Sequence, residues 1–259
     1  MIRYLGVMKL NLMSPPPSGP MDELFELEEE LIEHLPLKQK NKGRLLMFLD
    51  LVINVLIIVV LVFVTRTFLI SPFQVFGPSM CNTLNYIDEQ CHHGFGEYII
   101  VNKAVYQTFF GLFDGLPDRG DIIVFRPPEN SKDFFIKRIV GIPGDTIEIQ
   151  QDTLVVYNKE NPDGVLLNES YLTEQNRQST SMFQTETSKK FTVPKGKYFV
   201  MGDNRRESTD SRTCFLPPSP ACTGEKHFLD GDRIEGRAWV VLWPFGNTRL
   251  LKNPDFGAL

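Results

Sequence analysis

From Leu45 to Val64 the chain reads LLMFLDLVINVLIIVVLVFV, twenty residues with almost no polar interruption. As a helix it covers a hydrocarbon layer of roughly 30 Å, so a membrane-spanning anchor is expected here. Asp50 and Asn54 are its polar residues and share one helical face; Asp50 is read as lying near the interface. Lys38, Lys40, Lys42 and Arg44 stand ahead of the span, and only Arg66 follows closely. That bias puts the first 44 residues in the cytoplasm and the chain after Arg66 on the outer face. A cleaved leader is the poorer reading: the basic lead is too long, and TRTFLISPF offers no small-x-small site.

Beyond the anchor the pattern is that of strands. EYIIVNKAV, GDIIVFRPP, FFIKRIV, TIEIQQDTLVVYN, KKFTVPKGKYFVMGDN and RAWVVLWPFG are short, rich in β-branched and aromatic residues, and bounded by Gly, Pro, Asn or Asp. Eighteen prolines and nineteen glycines agree with many turns. The expected fold is mostly β: an N-terminal transmembrane helix, then an all-β domain of antiparallel sheets with a smaller inserted lobe. The expected segments are a cytoplasmic part over 1–44, the anchor over 45–66, the β domain over 67–151 and 191–250, the polar lobe over 152–190, and a tail over 251–259. Within the first segment, residues 21–35 read as a short acidic amphipathic helix, with Leu24, Leu27, Leu31 and Leu35 on one face. The aromatic stretch QTFFGLFDGLP, residues 107–117, fits either core or a loop dipping into a bilayer surface. A net charge of −5 with no basic face gives no basis for a nucleic-acid partner.

Cys81, Cys91, Cys214 and Cys222 all fall on the outer side. An even count in an oxidising compartment suggests disulfides, and four cysteines allow three pairings. Pairing Cys81 with Cys91 and Cys214 with Cys222 would close short loops, but sequence does not choose it. The run Cys91-His92-His93 matches no familiar zinc spacing, and no metal is expected.

Chemistry enters with DFFIKRIVGIPGD, residues 133–145, which places Lys137 on the same side of a strand as Phe135 and Ile139. A strand lysine ordinarily packs its stem and reaches water with its head. Held in an apolar site instead, it would lose charge and serve as a base. Ser79, after the turn-forming Gly77-Pro78, is a hydroxyl that such a base could activate. The histidines offer little: His34 lies on the other side of the anchor, and His92, His93 and His227 have no evident carboxylate context. In MGDNRRESTDSR, residues 201–212, Asp203 and Asp210 are interleaved with Arg205, Arg206 and Arg212. That composition favours an internally neutralised network over a cation site.

These stretches, in this order after one anchor, resemble the type I signal peptidases over about residues 45–246: PSMCNTL, RGDIIVF, IKRIVGIPGD and GDNRRESTDSR carry the likeness. The resemblance implies Ser79 as nucleophile and Lys137 as general base, with Ser208 orienting the lysine head. It further implies that Arg138, Asp210 and Arg212 form a supporting ion-pair network, with Asp203 holding the loop. No cofactor is implied. The implied substrates are the signal peptides of secretory preproteins, cut after Ala-x-Ala-type sequences. The implied surroundings are membrane lipid and the export translocon. Two positions depart from the pattern: Asn82 stands where proline is usual, and Gly77 where one branch has a serine that donates to the oxyanion. The second donor then falls to the backbone, with Gly77 the candidate, or is absent. A Cys81–Cys91 bridge would stiffen the loop that lacks its proline.

Overall fold

The computed structural model describes residues 37–257, apart from residues 82, 107–114, 129–131, 151, 181–187 and 217–221. The acidic stretch 21–35, most of the aromatic loop and Asn82 thus lie outside the described residues. The chain divides into two compact units, Met1–Val62 and Phe63–Leu259. The first is described through helix α1, Leu37–Val64. Its large apolar side chains are exposed on every face, and the stretch Lys42–Leu69 is long and apolar enough to cross a membrane.

The second unit is built of short antiparallel strands. In chain order they are β1 (Ile70–Phe76), β2 (Tyr86–Ile87), β3 (Gln90–Cys91), β4 (Phe95–Asn102), β5 (Ile122–Phe125), β6 (Phe135–Gly141) and β7 (Thr146–Gln150). There follow β8 (Thr153–Tyr157), β9 (Val165–Leu166), β10 (Ser188–Thr192), β11 (Lys197–Met201), β12 (Leu229–Asp230), β13 (Ile234–Trp243) and β14 (Arg249–Leu250). The larger sheet runs β1-β4-β13-β5-β6-β11-β12, with β14 beside β13. Register shifts in β1, β11 and β13 bend it. A second sheet, β10-β7-β8-β9, takes residues 146–192 and so reaches past both ends of the interval 152–190. Its two outer segments, TIEIQ and KKFT, alternate like any other strand, and composition alone does not separate them from the larger sheet. What reads as one run, TIEIQQDTLVVYN, is a hairpin turned at Asp152, whose φ is 66°.

Three apolar clusters hold the unit together. Val75, Ile99, Val101, Val124 and Val241 pack between β1, β4, β5 and β13. Ile123, Phe125, Ile139 and Val200 pack beside them. Val140, Ile147, Val156, Phe191 and Phe199 join the second sheet to β6 and β11. The C-terminal residues are docked: Phe256 is buried, and Asn253 Nδ2 donates to Asp121 Oδ1 at 2.8 Å.

Candidate active site

β6 has β5 and β11 on its two edges, and every residue from Lys137 to Gly141 is buried, so both faces are covered there and its two central cations are buried. Lys137 is 3% exposed. Its Nζ stands 2.8 Å from Ser79 Oγ and 2.8 Å from the Ile136 carbonyl oxygen. Burial lowers its pKa to about 8, against an opposing pull from the carboxylates of Asp210 and Asp203, while Arg212 lowers it further. Among the described residues, no other base lies within hydrogen-bond reach of Ser79 Oγ. His227 gives its Nδ1 to the Ser211 carbonyl, and His93 sits at the surface 3.7 Å from Glu207.

Ser79 is presented by the turn that ends β1. Gly77 has φ 79°, the left-handed region where a Cβ is strained. Its N–H donates to Gly94 O at 3.0 Å, so this amide is committed and does not supply the second oxyanion donor. The N–H of Ser79 has no partner among the described residues. Asn85 holds the turn from beneath: its Nδ2 donates to the Val75 and Gly77 carbonyls at 3.2 and 3.1 Å. Asn85 in turn exchanges hydrogen bonds with Glu97, which pairs with Arg249. The disulfide Cys81–Cys91 ties this loop to β3, and Cys214 pairs with Cys222. Of the three pairing schemes open to the sequence, the structure has the one made of two local bridges.

The third stretch reaches the site through the end of β11. Its last pair with β6 is Met201 opposite Arg138, and Gly202 follows directly. A Cβ on Gly202 would lie 2.4 Å from the Ser79 carbonyl oxygen and 2.3 Å from Ser208 Oγ, so only glycine permits this approach. Asn204 N–H donates to the same Ser79 carbonyl at 3.1 Å. Ser208 Oγ is buried with no hydrogen-bond partner of acceptable geometry among the described residues, although its hydroxyl is one of the groups favouring the charged form of Asp210. The lysine head, expected to bond to Ser208, bonds to Ile136 O instead.

Around this centre the charges are paired. Arg138 grips Asp203 with two bonds, Nε to Oδ1 at 2.9 Å and Nη2 to Oδ2 at 2.7 Å, and Thr83 Oγ1 also donates to Asp203. Arg212 grips Asp210 likewise, at 2.9 and 2.8 Å. Burial alone would raise the Asp210 pKa; Arg212 and the Gly202 N–H overcome it and hold the carboxyl below its usual value. The site therefore brings together Ser79, Lys137, Ser208, Arg138, Asp203, Asp210 and Arg212. It adds Asn85 beneath the turn, and Glu169 and Thr180, which accept from Arg205 Nη1; sequence reasoning does not find them, because no local pattern marks a polar side chain whose partners are remote in sequence. An open groove of roughly 1700 Å³ runs past Ser79 and Lys137, walled by Phe73, Val75, Ile99 and Phe135.

A hydroxyl beside a desolvated amine, on a scaffold of antiparallel strands, is the arrangement of a lysine-assisted serine hydrolase. The chain belongs to the signal peptidases of peptidase family S26, whose profile matches residues 48–243, and it is a serine endopeptidase. It is 32% identical over 212 residues to signal peptidase IB of Staphylococcus aureus (strain MRSA252), covering 80% of this chain and 95% of that one. It is 34% identical over 219 residues to signal peptidase I U of Bacillus subtilis (strain 168), covering 84% and 97%. Among solved structures, a signal peptidase I from Enterococcus faecalis V583 is similar at 33% identity, with 47% and 95% covered and a TM-score of 0.34.

Proposed function

We propose that this endopeptidase removes signal peptides from exported precursors, with Ser79 as nucleophile and Lys137 as general base. The observation that carries the reading is the buried amine 2.8 Å from the hydroxyl, its pKa brought down to about 8. As Ser79 Oγ attacks the scissile carbonyl, its proton passes to neutral Lys137 Nζ. The carbonyl electrons move onto oxygen, where the free Ser79 N–H is the available donor. Collapse of this intermediate breaks the C–N bond, and the lysine proton goes to the leaving amine. A water, deprotonated by the same amine, then hydrolyses the acyl-enzyme and restores Ser79. Ser208 orients the lysine head once the substrate displaces it from Ile136 O. Arg138, Asp203, Asp210 and Arg212 hold the loop, and Gly77 shapes the turn. The reaction as written draws on no cofactor.

The substrate is an extended chain with small side chains at the first and third positions before the cut, of Ala-x-Ala type. It lies along the exposed edge of β1 by strand addition. Helix α1 anchors the enzyme in the cytoplasmic membrane by a single pass over 45–66. Residues 1–44 are then cytoplasmic, and the catalytic unit, with the lobe built on its second sheet, lies on the outer face near the export translocon. Support for lipid contact comes from exposed aromatics late in the chain: Trp239 is 50% and Phe245 81% exposed. The test is the mass of the product from a defined precursor incubated with detergent-solubilised enzyme. A cut after a small residue, absent with Ser79→Ala and Lys137→Ala, is expected. Cleavage by either variant at the wild-type rate refutes the assignment.

A further inference from the structure

Among the described residues, Arg205 is the most completely engaged side chain of the polar interior. Its side chain is 0% exposed, and all five guanidinium hydrogens have acceptors. Nε donates to the Gly202 carbonyl at 3.1 Å. Nη1 donates to Glu169 Oε2 at 3.0 Å and to Thr180 Oγ1 at 2.7 Å. Nη2 donates to Glu169 Oε1 and, at 3.3 Å, to the Tyr171 hydroxyl. Glu169, itself 6% exposed, also accepts from the Tyr171 hydroxyl at 3.0 Å. The acceptors on Nη1 and Nη2 therefore all come from residues 169–180, within the lobe, and the other end of the fork is fixed to Gly202.

The placement of Gly202 is what makes this arrangement chemical. At Gly202 the third stretch passes close enough to the Ser79 carbonyl and the Ser208 hydroxyl to exclude a Cβ. The same clamp reaches the far end of the loop. Arg212 donates to the Arg205 carbonyl at 3.0 Å and to the Thr180 carbonyl at 3.2 Å while holding Asp210. A buried ion pair is weak as a source of stability, because desolvation offsets most of the attraction; its plainer use is to fix one geometry.

We propose that Glu169 is a positioning residue for the peptidase reaction: through Arg205 it sets Gly202, and so fixes Ser208 and the carbonyl of Ser79 relative to Lys137. The proposal rests on the reading of Ser79 and Lys137 as the catalytic pair. It assigns the lobe a task beyond packing, since the residues that complete the catalytic loop's polar network come from the lobe.

A pH signature follows from the charges. Asp210, Asp203 and Arg212 act on Lys137, and Glu169, Tyr171, Asp203 and Arg138 face Arg205. With Glu169 neutral, the Arg205 cation is left to Asp203. The Arg205 charge that Glu169 no longer compensates adds positive potential around the site and disfavours protonated Lys137, so the acid limb of the rate profile moves to lower pH.

The experiment compares Glu169→Gln with wild type in the full-length, detergent-solubilised enzyme, measuring kcat, KM, the pH profile and Tm on one precursor. The expected result is a fall in kcat of about 10- to 100-fold, the range that an ångström-scale misplacement produces, with KM within about twofold and the limb shifted down. Glu169→Asp, which keeps the charge, should restore the limb but not the full kcat. If Glu169→Gln does not fold, Thr180→Val removes another Arg205 acceptor while keeping the ion pair, and a several-fold loss in kcat is expected. A kcat within twofold of wild type, or an unmoved limb in Glu169→Gln, overturns the proposal whatever happens to Tm. Failure of the underlying dyad reading would look different: there Lys137→Ala itself would cleave.

Discussion

The proposed catalytic base is also a cost to the fold. Lys137 has an ordinary pKa of 10.5, which burial brings down to about 8 in the folded chain. Below about pH 8 it is protonated in both states, and folding bears the whole penalty of burying the cation. That penalty is about 3 kcal/mol, since each tenfold change in proton affinity is worth about 1.4 kcal/mol. Between about pH 8 and 10.5 the folded state sheds its proton first, so stability rises with pH and the penalty vanishes. Lys137→Met should therefore be inactive yet raise Tm at pH 7, with the gain gone near pH 10.5; thermal unfolding across pH checks it. Asp210 tests the sign from the other side. Its carboxylate supports protonated Lys137, so Asp210→Asn should move the acid limb of kcat/KM to lower pH. The same change leaves buried Arg212 without its partner and should cost about 3–5 kcal/mol, read by denaturant unfolding. Lys137 and Ser79 stand out locally as a cation in an apolar strand and a serine on a Gly-Pro turn, but their roles come only from the family resemblance. Asn85 and Glu169 do not stand out: each is an ordinary polar residue until remote partners surround it.

At the scale of elements, the site is a meeting of three chain segments, and Gly202 is where they touch. Adding one methyl there places carbon 2.4 Å from the backbone oxygen of Ser79, which cannot swing aside like a flexible side chain. Gly202→Ala should cut kcat by about 100-fold while leaving the strands of both sheets in place, as near-unchanged far-ultraviolet circular dichroism would show. The turn before Ser79 is braced differently, by Asn85 and by the Cys81–Cys91 disulfide, in a chain that has Asn82 where the family pattern has proline. A bridge closing so short a loop is worth ~3 kcal/mol on the chain-entropy account. The double variant Cys81→Ala/Cys91→Ala should lose about that much stability and lose turnover as well, because the loop it frees carries the nucleophile. Thiol labelling of the unreduced, unfolded wild type should find no free cysteine. The strands themselves were readable from alternation and turn residues. The division between the two sheets was not, since β7 and β10 obey the same period as their neighbours and only pairing assigns them.

For the whole molecule, the proposed function requires that a β unit work on a chain emerging from lipid. Helix α1 meets part of it, being apolar on all faces. The second unit carries its own apolar surface near the end of β13, where Trp239, Leu242, Trp243 and Phe245 are exposed, with the Tyr98 ring 6.0 Å from that of Trp243. With a net charge of −5 the chain gains nothing from anionic headgroups, so any attraction to a bilayer must come from burying these rings. A chain beginning at residue 66, lacking the helix, should therefore still bind vesicles of neutral phosphatidylcholine. Binding should survive salt of about 0.5 M, where screening confines charge effects to roughly 4 Å. Trp239→Ser with Phe245→Ser should weaken that partition by about a hundredfold or more, since each ring loses about 1.5–3 kcal/mol of burial. Sedimentation with vesicles measures both. Binding that vanishes in salt, or that the double substitution leaves intact, would mean that the unit meets the membrane by some other surface, and that α1 alone brings Ser79 to its substrate.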